Sequence, residues 1–73
     1  MVIMLKSVQD VNKFVAITGK YDFDIDLISG RYAINGKSIM GVFSLDLTKP
    51  IEVEPQTENC SDLFEELKPF MVK

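Results

Sequence analysis

Between Tyr21 and Leu27 the chain alternates strictly: Tyr21, Phe23, Ile25 and Leu27 on one parity, Asp22, Asp24 and Asp26 on the other. A period of two sends successive side chains to opposite faces of a pleated strand. Apolar groups then share one face and carboxylates the other. Such a strand belongs to a sheet that is covered on one side and wet on the other, as antiparallel sheets are. The spacing predicts a strand over 21–27 and a turn at Ser29-Gly30. It also predicts a return strand from Arg31 to Asn35 with Tyr32 and Ile34 facing inward.

The cover must come from the rest of a 73-residue chain. At that length one domain spanning 1–73 is expected, with a thin core, because such a chain buries only about 60% of its unfolded surface. Val2-Ile3-Met4-Leu5 reads as a short buried strand. Ser7 suits a helix N-cap, with Asp10 three residues on as a short version of a capping box. Val8, Val11, Phe14, Val15 and Thr18 then recur at helical spacing. Gly19 falls where a left-handed residue closes a helix. Ser38 is a second cap candidate, leading into Ile39, Met40, Val42, Phe43 and Leu45. That run is too apolar for one stripe. Its helix is expected to bury one side, show the other to a partner, and end near Asp46-Leu47.

Ile51 and Val53 alternate with Glu52 and Glu54 in a last short strand, and Pro55 to Asn59 reads as a polar loop. The final helix begins near Ser61 and carries Leu63, Phe64, Leu67, Phe70 and Met71 at helical spacing, with Glu65 and Glu66 in solvent. Pro69 forces a kink or a restart. The order is βαββαβα. This is an α+β, two-layer open-faced sandwich, with a four-stranded antiparallel sheet and three helices on one face. The ferredoxin-like sandwich and a second sandwich with another strand order share the first six elements, and periodicity does not separate them.

The chain has no histidine. Imidazole bases, phosphohistidine and His-ligated metals are excluded at once. No nucleophile–base pair, glycine-rich phosphate loop or metal-ligand cluster appears, so neither an enzyme nor a cofactor is expected. A net charge of −3 argues against nucleic acid. The longest apolar run, Met1 to Leu5, is far below the ~20 residues of a membrane span, and no basic region precedes it as in a signal peptide. No membrane insertion is expected. Cys60 cannot pair within the chain, which fits a reducing cytoplasm. It reads as an ordinary helix-start residue, with no base partner. The carboxylates of Asp22, Asp24 and Asp26 lie about 6.8 Å apart along a strand, too far to share a metal ion. If the strand of Glu52 and Glu54 lies beside them, five carboxylates line one open face. That face is either a solvated one or a docking surface for a basic partner.

Lys37-Ser38-Ile39-Met40-Gly41, followed by Phe43-Ser44-Leu45, closely resembles the regulatory serine segment of HPr, the phosphocarrier of the bacterial sugar phosphotransferase system. The resemblance reaches back through Lys20-Tyr21-Asp22 and runs from Asp10 to Val53. It implies the HPr-like strand order 1-4-2-3. It implies that Ser38 is the target of an ATP-dependent serine kinase. It also implies that Lys37, Ile39, Met40 and Phe43 belong to a surface met by Enzyme I, transporter subunits and that kinase. The second defining motif of the family is missing. Counted back from Ser38 without gaps, the carrier-histidine position falls approximately on Ser7. The arginine and proline that follow it fall on Gln9 and Asp10. The nucleophilic imidazole, the phosphate-binding cation and the fixed turn are all lost, and a serine phosphoester does not pass its phosphate on.

The expectation is a cytoplasmic HPr-like regulatory or binding module without phosphocarrier activity. One alternative is a component of the same system that carries no phosphate, such as a decoy for Enzyme I or for a transporter subunit. Another is a ferredoxin-like ligand-binding or dimerisation domain. From the residues alone, Ser38 also reads as a plain helix cap.

Overall fold

The computed structural model describes residues 1–71. Its elements are β1 (Val2–Ile3), α1 (Val8–Thr18), β2 (Ile25–Ser29), β3 (Tyr32–Asn35), α2 (Ile39–Phe43), β4 (Ile51–Pro55) and α3 (Ser61–Leu67), followed by a 3₁₀ turn over Lys68–Phe70. The four strands form one antiparallel sheet in the order β1-β4-β2-β3. This is the HPr-like order. The ferredoxin-like sandwich sets β1 and β3 side by side in the middle of the sheet, whereas here they are its two edges, so that alternative is excluded.

The core lies between the sheet and the helices. Ile3, Ile25, Leu27, Ile51 and Val53 face Val11, Phe14, Val42, Leu63 and Leu67, all at most 2% exposed. Phe14 meets Phe70 edge to face, with ring centroids 6.4 Å apart. The one buried polar side chain among the described residues is Thr18. Its hydroxyl donates to the Gly36 carbonyl at 2.9 Å and lies 3.1 Å from the Val15 carbonyl. The end of α1 is thereby tied to the turn that leads into α2.

Several expectations need correction. The strand expected over 21–27 begins only at Ile25. Ladder partners exist only from there on: the ladder with β4 starts at Ile25↔Pro55 and the ladder with β3 ends at Asp26↔Asn35. Tyr21 and Phe23 still pack against the core, with ring centroids 5.4 Å apart. β2 extends the other way through Ile28 and Ser29, because the hairpin loop is Gly30-Arg31. Gly30 takes φ of 59°, the positive value a two-residue hairpin asks of its first position.

The five-carboxylate face shrinks accordingly. Asp22 and Asp24 lie outside the sheet. Asp26 sits opposite Glu54, while Glu52 is opposite Ile28 and Val2. Tyr32 has the inward parity of Ile34 but is 71% exposed, since it lies at the turn end beyond the core. Val8 is 62% exposed for a similar reason, in the first turn of α1.

Gly19 closes α1 in the right-handed region at φ −65°, not the left-handed one. The chain keeps turning, with Gly19, Lys20 and Tyr21 amides bonded to the Val15, Ile17 and Thr18 carbonyls. Pro55 belongs to β4 and not to the loop. The Val53 amide points to the β1 side, donating to Met1, so the Pro55 nitrogen points the same way, past the end of β1, where no ladder bond is lost. α2 stops at Phe43, short of Asp46. Glu66 is not simply in solvent: it is half-buried and accepts from Lys20 and Tyr21. Pro69 does end α3, and the chain restarts as the 3₁₀ turn. Met71 bridges to Ile3.

Candidate functional site

The site is built on the turn into α2. Asn35 ends β3, and its carbonyl accepts the Ser38 amide at 3.1 Å while its side-chain oxygen accepts the Lys37 amide at 2.9 Å. Gly36 is needed between them. Its amide donates to the Ile25 carbonyl at 2.6 Å, and a Cβ there would stand 2.9 Å from that same oxygen. The turn is pressed onto β2 closely enough that only glycine fits.

Ser38 then takes an extended conformation, and its Oγ accepts the Gly41 amide at 3.1 Å. This satisfies one of the amides that a helix start leaves free. Gly41 matters for a reason the sequence does not show. A Cβ at Gly41 would lie 3.3 Å from the Ser38 Oγ and 3.5 Å from Ile34 Cδ1, so its absence lets the cap and β3 close on the helix.

α2 is only five residues long and buries one side chain completely, Val42. Ile39 is 38% exposed, Phe43 39% and Met40 76%. The half-buried cap of Ser38 is therefore bordered by three exposed apolar side chains. A bendable methionine beside an aromatic ring is a surface that adapts to differently shaped partners. The Lys37 ammonium is engaged elsewhere. It donates to the Tyr21 carbonyl at 2.5 Å, so the nearest cation in sequence to Ser38 is tied to the segment before β2.

Ser7 heads α1 as a cap, its Oγ accepting the Asp10 amide at 3.1 Å. Asp10 returns a bond to the Lys6 amide at 3.0 Å, one residue before the place a capping box would use. The helix start thus already carries a carboxylate. An added phosphate at Ser7 would meet repulsion from Asp10, with Gln9 offering no positive charge in its place. Cys60 sits at the start of α3, partly buried against the core, and its side chain makes no cap bond. Among the described residues, no three His, Cys, Asp or Glu side chains come together as a metal site, and no helix is long and apolar enough to cross a membrane.

A second polar centre escaped the sequence reading. Glu66 of α3 accepts from the Lys20 ammonium and from the Tyr21 hydroxyl. Those bonds, Lys20 first, hold the Glu66 carboxyl below its ordinary range. The bond to Glu66 raises Tyr21 to about 12, with burial adding to it. The partners are 45 and 46 residues apart, which no periodicity reveals.

No protein-family model matches the chain, and no curated protein does. Two solved structures share the fold. HPr-C-His of Thermoanaerobacter tengcongensis superposes with a TM-score of 0.77 at 20% identity, over 92% of this chain and 83% of that one. Crh of Bacillus subtilis, described as a catabolite repression containing protein that forms a swapped dimer, superposes with a TM-score of 0.68 at 19% identity, over 97% of this chain and 88% of that one. At these identities the likeness is one of fold: this chain has the HPr fold.

Proposed function

We propose that the chain is a cytoplasmic HPr-like regulatory and binding module of the sugar phosphotransferase type, with no histidine phosphocarrier activity. The observation that carries the reading is the Ser38 cap at the head of a short helix whose Ile39, Met40 and Phe43 stand exposed. The Lys37–Leu45 motif supports it, and so does the HPr fold. The absence of any histidine leaves no residue that could accept and pass on a phosphoryl group in the manner of HPr. Ser7, Gln9 and Asp10, at the approximate carrier positions, offer neither an imidazole nor a phosphate-binding cation.

In this reading α2 meets protein partners: Enzyme I, transporter subunits and an HPr serine kinase. Ser38 is the switch. Its Oγ forms a bond to the γ-phosphorus of ATP, the bond to the β–γ bridging oxygen breaks, ADP leaves, and the hydroxyl proton passes to the kinase's base. The product carries about −2 charge at the edge of an apolar patch. That weakens contact with acidic or apolar partners and creates contact with an arginine-bearing one.

Two incubations test this. An HPr serine kinase with ATP is expected to add one phosphate by mass, and Ser38→Ala to abolish it. A native protein left unmodified makes Ser38 a plain cap. Enzyme I with phosphoenolpyruvate is expected to leave the chain unlabelled, and any labelling refutes the non-carrier reading.

A further inference from the structure

Two long-range polar contacts converge on Tyr21. Its carbonyl accepts the Lys37 ammonium at 2.5 Å, from the residue just before Ser38. Its hydroxyl donates to Glu66 Oε2 at 2.5 Å on α3, where the Lys20 ammonium pairs with the same carboxylate. The segment from Tyr21 to Asp24 has no strand neighbour, since β2 begins at Ile25. The remaining backbone ties of that stretch are the Tyr21 amide to the Thr18 carbonyl at 3.2 Å and the Asp24 carbonyl to the Gln56 amide at 2.8 Å. Tyr21 is thus the point where a loosely paired strap is fastened, to α3 through its ring and to the head of α2 through its carbonyl.

We propose that Lys37 is a latch: a phosphate on Ser38 draws the Lys37 ammonium off the Tyr21 carbonyl and loosens the 21–24 strap, so that modification at α2 is felt at the Tyr21–Glu66 contact on α3. The inference rests on Ser38 being the residue that carries phosphate. The physics is a competition for one cation. A carbonyl offers the ammonium a dipole, whereas a phosphate one residue away offers close to two full charges and three acceptor oxygens. The Lys37 backbone is fixed by Asn35, so only the side chain has to swing. Among the described residues, no carboxylate lies within ion-pairing distance of Lys37 to hold it back.

The test compares backbone amide hydrogen exchange, resolved by NMR, in four proteins: native, phosphoserine at 38, Lys37→Met, and both together. Phosphoserine is installed during synthesis, so kinase recognition plays no part; a kinase that ignores Ser38 then removes the functional reading and leaves this test intact. Exchange of the Tyr21 and Gln56 amides, the two whose bonds tie the strap, is expected to rise on the order of tenfold with phosphoserine, the scale of a lost charge-assisted bond in local opening. Lys37→Met is expected to raise it similarly, and phosphate to add nothing further in that background. Unchanged exchange in the phosphoprotein overturns the latch. So does a Lys37→Met protein that exchanges like the native one, or one in which phosphate still produces the full rise. Far-UV circular dichroism checks that all four are folded.

Discussion

Tyr21 and Glu66 show how much one contact changes two side chains. The hydroxyl donates to the carboxylate, which favours the neutral phenol and the charged carboxylate together. Tyr21 therefore holds its proton to about 12, against an ordinary 10.0. Glu66 keeps its charge below the ordinary carboxyl value of 4.5. The signs fix where stability changes with pH. The unfolded chain loses the tyrosine proton first, so Tyr21's contribution is complete below pH 10 and is lost as pH rises toward 12. The unfolded chain gains the carboxyl proton first, so Glu66's contribution is present above pH 4.5 and is lost as pH falls through its lowered value. Glu66→Gln is expected to flatten both limbs of a plot of urea midpoint against pH. It is also expected to bring Tyr21 back toward 10 in an absorbance titration. A Tyr21 still titrating near 12 in that variant would mean the contact is not the cause.

α2 divides its residues between fold and surface. Val42 is wholly buried and Met40 is 76% exposed, two positions apart. Val42→Ala is expected to cost about 2 kcal/mol, and Met40→Ala to stay within about 0.5 kcal/mol, in urea unfolding. Ser38→Ala removes the cap and is expected to cost about 1 kcal/mol. The turn before the helix is less forgiving. Gly36→Ala drives a methyl to 2.9 Å from the Ile25 carbonyl, against backbone that has no freedom to move. It is expected to destabilise by more than the cap variant and to weaken the Gly36 amide bond to Ile25. A Gly36→Ala protein as stable as native would contradict that crowding.

The molecule as a whole rests on a core a few side chains deep. Phe14 is completely buried and packs edge to face on Phe70, so one residue joins α1 to the C-terminal turn. Phe14→Ala is expected to cost about 3–5 kcal/mol. A chain this small holds roughly that much in total, so the variant is expected to be largely unfolded in water by circular dichroism at 25 °C. Retained native ellipticity with a steep urea transition would show a more robust core. The same scale decides where partners can dock. The sheet's open face mixes charge with apolar groups, Asp26 opposite Glu54 and Ile28 opposite Glu52 and Ala33. The exposed apolar groups of α2 lie on the helical side.

Local patterns in the sequence determined the element order, the caps at Ser7 and Ser38, the break at Pro69 and most of the core. Each depends on residues within a turn or two of one another, and period-two or period-3.6 burial reports them directly. The Lys37–Leu45 motif added the strand order, which no periodicity contains. What only the tertiary structure decided depends on partners far along the chain. Strand pairing needs a neighbour: the alternation at Tyr21–Asp24 has the right pattern and no strand beside it, so β2 starts at Ile25 and the acidic face loses two of its five carboxylates. The Tyr21–Glu66–Lys20 contact, the engagement of Lys37 by Tyr21 and the fit of Gly41 beneath Ser38 are likewise meetings of separate elements. They follow from how the layers pack, and a linear pattern carries no record of them.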